Sequence, residues 1–315
     1  MKKVLIVALL NIVFVGFLWG ADFTDKGVGT SSANFLKIPC GARAVGMGEA
    51  YASLSNGADA VWWNPAGLGG LDSIRFEAMY TMWFEDIAYT NLAYAHPFDW
   101  GVVGVGLNYL SIGSMDRYDE KGEKEGTFKP YDGMASLNYG KRWDQFFAGF
   151  GLKFIREVID DVDAQGVAGD LGIIWRSKEE DVGFGLLIQN LGTEIKFQDE
   201  GYPLPLTINV GTSISYKLEP ELADSNILTI SIDGNAPRDN DISGHLGMEY
   251  AVKEIKRLDL FFRAGYKTNT ISDLDSLSGL SAGLGFAFDN LGINYVWVPY
   301  GDLGDTHRIS FTLSM

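Results

Sequence analysis

The chain has 315 residues, 46% of them hydrophobic, 13% aromatic and 21% charged, with 39 glycines and one cysteine, Cys40. That apolar content supports a folded core and excludes wholesale disorder. A formal charge of −16 without any Lys/Arg cluster excludes nucleic acid as a partner, because phosphate binding needs such clusters.

The first segment reads as an export leader. Lys2 and Lys3 precede a stretch from Val4 to Trp19 that is apolar apart from Asn11, and Gly20 and Ala21 supply small residues for cleavage. Residues 1–20 are therefore predicted to be a signal peptide. No later run approaches the ~18 consecutive apolar residues of a membrane helix. An exported chain of this kind is either soluble beyond the inner membrane or a barrel in the outer one.

Residues 21–72 lack sustained alternation. They contain Gly41-Ala42-Arg43-Ala44-Val45-Gly46-Met47-Gly48 and, later, Asn64-Pro65-Ala66-Gly67. Gly41, Gly46 and Gly48 permit close backbone approach. Pro65 fixes a turn and pushes Asn64 toward extended geometry. Ala44 to Leu54 is expected as a short helix. Cys40 cannot form an intramolecular disulfide and is expected to be a small packed residue. A compact, small-residue segment ahead of many strands is predicted to plug a lumen.

From residue 73 to 315 the dominant period is two, the signature of strands. Phe76, Ala78, Tyr80 and Met82 share one phase and Arg75 and Glu77 the other. Ala148, Phe150, Leu152 and Phe154 oppose Gly149, Gly151 and Lys153. Leu284, Phe286 and Phe288 oppose Gly283 and Gly285. Fourteen such segments are counted, each near the ~9–11 residues of a tilted membrane strand. A soluble sandwich would carry Lys and Glu along its polar phase. Here that phase is Gly, Asn, Ser, Thr and single ions, while the apolar phase ends in Tyr and Trp, which prefer the water–lipid boundary. The fold class is therefore all-β: a transmembrane antiparallel barrel of about fourteen strands with an N-terminal plug, in contact with outer-membrane lipid. The alternating short and long connections fit periplasmic turns and outer loops, with 157–165 counted among the long ones.

Arg75, Glu77, Lys153, Asp170, Glu249, Arg263 and Arg308 are predicted to project into the lumen, pairing with one another or with the plug. Arg43 is the candidate plug partner of Asp170 or Glu249. The histidines, His96, His245 and His307, have no metal-binding spacing. No nucleophile elbow or phosphate loop occurs. Asp160, Asp161 and Asp163 with Gly166 faintly match a calcium loop, but the closing Glu is missing, so a solvated loop is expected. No catalytic residue, metal or cofactor is predicted, and the chain is not read as an enzyme.

The run from Phe35 to Leu68 resembles the N-terminal signature of the PorV/PorQ family, itself similar to FadL-type outer-membrane transporters, with which it shares the Asn-Pro-Ala turn. Shorter matches follow at Gln189-Asn190-Leu191-Gly192, Pro203-Leu204-Pro205-Leu206 and Arg263-Ala264-Gly265-Tyr266. The resemblance implies a fourteen-stranded barrel plugged by its N-terminal segment. For PorV-like members it implies a place in type IX secretion, binding secretion components or cargo C-terminal domains. For FadL-like members it implies passage of a hydrophobic small molecule. The secretion role is the first expectation and transport the alternative, which would require an apolar cavity between plug and wall.

Overall fold

The alternating segments become strands in the computed structural model, which describes residues 27–84, 87–179, 181–197, 200–219, 225–255, 257–268 and 278–315. The leader expected at 1–20 lies outside the described residues. In chain order the strands are β1 (Arg75–Met82), β2 (Ala88–Phe98), β3 (Gly101–Ser111), β4 (Met115–Tyr118), β5 (Lys124–Phe128), β6 (Tyr131–Trp143), β7 (Phe146–Ile159), β8 (Val162–Arg176) and β9 (Val182–Gly192). They continue with β10 (Ile195–Phe197), β11 (Glu200–Tyr202), β12 (Thr207–Leu218), β13 (Ser225–Pro237), β14 (Ser243–Ile255), β15 (Leu258–Lys267), β16 (Leu280–Phe288), β17 (Leu291–Pro299) and β18 (Asp305–Ser314).

Fourteen of these close into one antiparallel barrel in the order β1-β18-β17-β16-β15-β14-β13-β12-β9-β8-β7-β6-β3-β2. Closure runs from Arg75 against Ser314 to Met82 against His307. The remaining four form two small hairpins, β4–β5 and β10–β11, folded from the two connections at 112–130 and 193–206. A closed barrel pairs every wall strand on both sides, which is the condition for crossing hydrocarbon without orphaned backbone groups.

The two phases of each strand face different media. Phe150, Leu152, Phe154, Leu171, Ile173 and Phe286 stand exposed on the outer surface, while Lys153, Asp170, Glu249 and Arg263 are buried. This is the reverse of a soluble β protein, and it makes the outer surface an apolar belt. Near one end of the barrel the belt carries an aromatic ladder. Phe98 stacks on Trp100 at 5.2 Å and Trp100 on Tyr139 at 5.5 Å, and the Tyr139 hydroxyl donates to the Trp100 carbonyl at 2.7 Å. A flat ring with one polar handle suits the lipid boundary.

That end, the turn end, holds the first residue of β1, the last of β18 and the connections at 99–100, 144–145 and 289–290. The opposite loop end carries both small hairpins and the connection at 300–304. The expected long loop at 157–165 is absent. β7 and β8 run on and meet in a two-residue turn at Asp160–Asp161, with Asp160 at φ 55°. The carboxylates of the faint calcium-loop match are held by guanidinium groups: Arg117 pairs with Asp160 and, at 3.1 Å, with Asp161, and Arg156 pairs with Asp163 at 3.3 Å.

The segment ahead of β1 fills the lumen. Its described residues, from 27 on, contain one short helix, α1 (Ala42–Gly46), and 3-10 turns at Asn34–Lys37, Ala58–Val61 and Pro65–Gly70. The helix expected from Ala44 to Leu54 is cut short because the chain turns at Gly48 (φ 61°) and Glu49 (φ 67°), and a left-handed pair cannot continue a right-handed helix. Phe35, Tyr51, Val61, Trp62, Trp63 and Leu68 are buried in one cluster. Burying a side chain such as Leu68 contributes about 1.5–3 kcal/mol.

The plugged lumen as candidate functional site

The plug approaches the wall at backbone distance. A Cβ on Gly149 would collide with Pro65, and one on Gly265 with Gly48. The glycine of the polar phase is thus the wall's accommodation of the plug. At the turn Asn64-Pro65-Ala66-Gly67, Pro65 takes the first helical position, where its missing N–H costs nothing. The Asn64 side chain accepts from the Ala66 amide at 3.1 Å and donates to the Ala52 carbonyl at 2.9 Å. Gly67 lies against Ser55, Gly46 against Arg263 and Gly283, and Gly41 near Glu77 and Asp59.

Ion pairs tie plug to wall. Arg43 on α1 donates from Nε and Nη2 to Glu249 at 3.0 and 2.9 Å, and from Nη1 to Tyr51 and Asn56. Arg263 donates to the same Glu249 at 2.6 Å and to Asn294 at 2.9 Å. Glu249 therefore bridges two guanidinium groups, one from each body. Asp170 takes no part in this bridge. It pairs with Lys153 at 2.7 Å, at a bulge where the β8–β9 register shifts between Gly169 and Leu171. Asn190, at φ 61°, fills the bulge: its amide donates to Asp170 and its side-chain oxygen accepts from Lys153. Arg308 donates to the Pro39 carbonyl at 3.1 Å and to the Tyr300 hydroxyl at 3.3 Å. Glu77 is buried beside the plug. Arg75 sits at the turn-end rim, bonded to Ser314 and 4.0 Å from Asp72.

Three further anchors carry no motif. Lys267 pairs with Glu49 at 2.7 Å, Lys37 with Asp239 at 2.7 Å, and Asp233 accepts from the Ala52 amide at 2.8 Å. A lone acid in a polar phase gives no sign of its partner, so sequence reasoning passed over them. Within the plug, burial opposes ionisation of Glu49, but the Lys267 ammonium prevails and holds its carboxyl below the usual range. Burial raises Asp59 above that range against the pull of Arg43. Burial also pushes the Cys40 thiol up to about 12, as expected of a packed residue.

Two cavities flank the plug. The turn-end chamber measures about 960 Å³ and is lined by Arg43, Tyr51, Asp59, Glu77, Glu249 and Arg263 among others. The loop-end chamber measures about 170 Å³ and has Trp62 and Trp63 in its wall. Between them lies an aromatic contact: Tyr51 meets Trp63 edge to face at 5.8 Å. Arg43 lies over the Tyr51 ring at 5.6 Å, and Trp63 Nε1 donates to the Cys40 carbonyl at 2.8 Å. The large chamber is not the apolar cavity the transport alternative asked for. Apolar lining is shared with polar groups in both. Among the described residues no three His, Cys, Asp or Glu side chains converge on a common point.

A closed wall of fourteen antiparallel strands around an N-terminal plug defines a plugged transmembrane barrel. Its fold is similar to that of the Pseudomonas putida toluene transporter TodX, with a TM-score of 0.55 at 12% identity over 87% of this chain and 97% of that one. The monoaromatic hydrocarbon channel CymD gives 0.55 at 11% over 88% and 98%. The Ralstonia pickettii toluene transporter TbuX gives 0.51 at 12% over 87% and 97%. No family model and no curated protein matches the sequence.

Proposed function

We propose that this chain is an outer-membrane channel for small uncharged molecules, with the plug as its gate. The observation that carries this reading is the stacking of two chambers on opposite faces of the plug, parted by the Tyr51–Trp63 contact. The apolar belt and closed wall support residence in an outer membrane, with the turn end periplasmic and the loop end outside. The likeness of fold to toluene and monoaromatic hydrocarbon channels supports small apolar or weakly polar cargo. The secretion role expected first from the PorV/PorQ resemblance rests on its motifs alone, and transport replaces it as the main reading.

Uptake of a labelled alkylbenzene by Gram-negative cells expressing the chain tests this. Uptake above a vector control is expected, and Trp63→Ala should quicken it by thinning the partition. Truncating a buried Trp costs about 3–5 kcal/mol, so the variant is scored only where heat-modifiable gel mobility shows a folded barrel. Uptake equal to the control for the unmodified chain would end the transport reading.

A further inference from the structure

The loop-end chamber is built differently from the turn-end one. We infer that it is a binding site for one neutral monocyclic molecule bearing a single hydrogen-bonding group, phenol-like in chemistry. This rests on the channel reading and narrows its cargo.

Size comes first. A cavity of roughly 150 Å³ accepts a single benzene ring, and this one measures about 170 Å³. Its apolar lining is Leu36, Ile38, Trp62, Trp63 and Met134, with two indoles to lie against a flat ring. Aromatic pairs favour offset or edge contacts with ring centroids roughly 4.5–7 Å apart.

Polarity decides the substituent. Most of the polar side chains facing the chamber are already engaged. Lys153 is held by Asp170 and Asn190, and Lys267 by Glu49. His245 bonds to the Gly48 carbonyl and to Ser243, and Gln189 donates to the Trp62 carbonyl. The cations are thus neutralised within the protein, which leaves little attraction for a carboxylate. Two groups stand apart. Trp62 Nε1 and Asn108 Oδ1 have no hydrogen-bond partner, although Trp62 is 7% and Asn108 6% exposed. One is a donor only, and the other is an acceptor. Buried polar atoms without partners cost free energy, and a hydroxyl can accept from the first and donate to the second. The Gly106 backbone passes close beside Nε1: a Cβ there would stand 3.2 Å from that nitrogen and 2.7 Å from Ser136 Oγ. A plain hydrocarbon satisfies neither group, and an anion supplies no proton for Asn108.

Calorimetric titration of the detergent-solubilised full chain with phenol, toluene and benzoate tests this. Phenol should bind tightest. Trp62→Phe keeps the ring and removes the N–H, and Asn108→Ala removes the acceptor. Each should weaken phenol roughly threefold to tenfold, the size of one hydrogen bond, and leave toluene unchanged. Toluene binding as tightly as phenol would overturn the assignment. So would equal losses for both ligands in the variants, or binding of none of the three, which would mark a chamber holding only water. Phenol binding without alkylbenzene uptake by cells would sink the channel reading and leave this site standing. Uptake without a phenol preference would do the reverse.

Discussion

Single residues on the outer surface report which medium they meet. Leu152 stands near the middle of β7 with 56% of its surface exposed, while its neighbour Lys153 is buried against Asp170. In water an exposed Leu→Arg change is close to neutral. At mid-bilayer depth it costs about 2–4 kcal/mol. Leu152→Arg is therefore expected to destabilise the refolded barrel by that amount in lipid vesicles, measured by denaturant titration. A change below about 0.5 kcal/mol, the range for ordinary surface sites, would place Leu152 outside the hydrocarbon. The phase that sets this up was legible in the sequence, because Phe150, Leu152 and Phe154 alternate with Gly151 and Lys153. The partner of each inward ion was not. Lys153 meets Asp170 because β7 and β8 form a tight hairpin where a loop was expected, and Arg43 meets Glu249 only because β14 faces the plug.

At the scale of elements, wall and plug differ in how much of their shape a sequence betrays. Strands repeat every two residues, so their positions could be placed within a few residues, and an antiparallel closure follows from their number. The plug repeats nothing. Its helix ends after Gly46 because Gly48 and Glu49 take positive φ, a choice made by the walls that Met47 and Gly48 touch at Gly247 and Gly265. The same logic hid Tyr51 and Trp63, whose contact matters through geometry and not through motif. Plug anchoring has a pH signature of its own. The Glu49 carboxyl lies below its ordinary value of 4.5, where burial alone would raise it but Lys267 at 2.7 Å holds it down. A depressed acid stabilises the folded state above its unfolded value, and that contribution fades as pH falls through the lower folded value. Protease susceptibility of the plug should therefore rise as the pH drops below about 4.5, and Glu49→Gln should flatten this limb while weakening the anchor at pH 7. An unaltered acid limb in the variant would assign the effect to other carboxylates, Asp59 excepted. Asp59 is shifted upward, so its contribution is fullest in acid and is lost as pH rises.

Across the whole molecule, the first and last described residues lie at opposite ends of the barrel. β1 starts and β18 finishes at the turn end, yet the described chain begins at the other. Gly27 packs against Arg238 and Asp239 in the β13–β14 connection. The Ser32 amide donates to the Pro203 carbonyl at 3.0 Å, and its hydroxyl to the Tyr202 carbonyl at 3.0 Å. The Ala33 amide donates to Glu157 at 3.3 Å, and Lys37 holds Asp239. Each of these partners lies at the loop end, so residues 27–37 run along that mouth before the chain descends through the lumen to β1. On the orientation proposed above, with short turns in the periplasm and long loops outside, Gly27 would face the exterior. An epitope placed just ahead of Gly27 should therefore bind antibody on intact cells, as should one in the β4–β5 hairpin, whereas an epitope in the turn at Asp144–Gln145 should bind only after the outer membrane is opened. The same accessibility for the Gly27 and Asp144 epitopes would contradict the path of the plug. Labelling at Asp144 alone on intact cells would invert the barrel. The two errors are separable because the hairpin reports the orientation of the wall independently of residues 27–37.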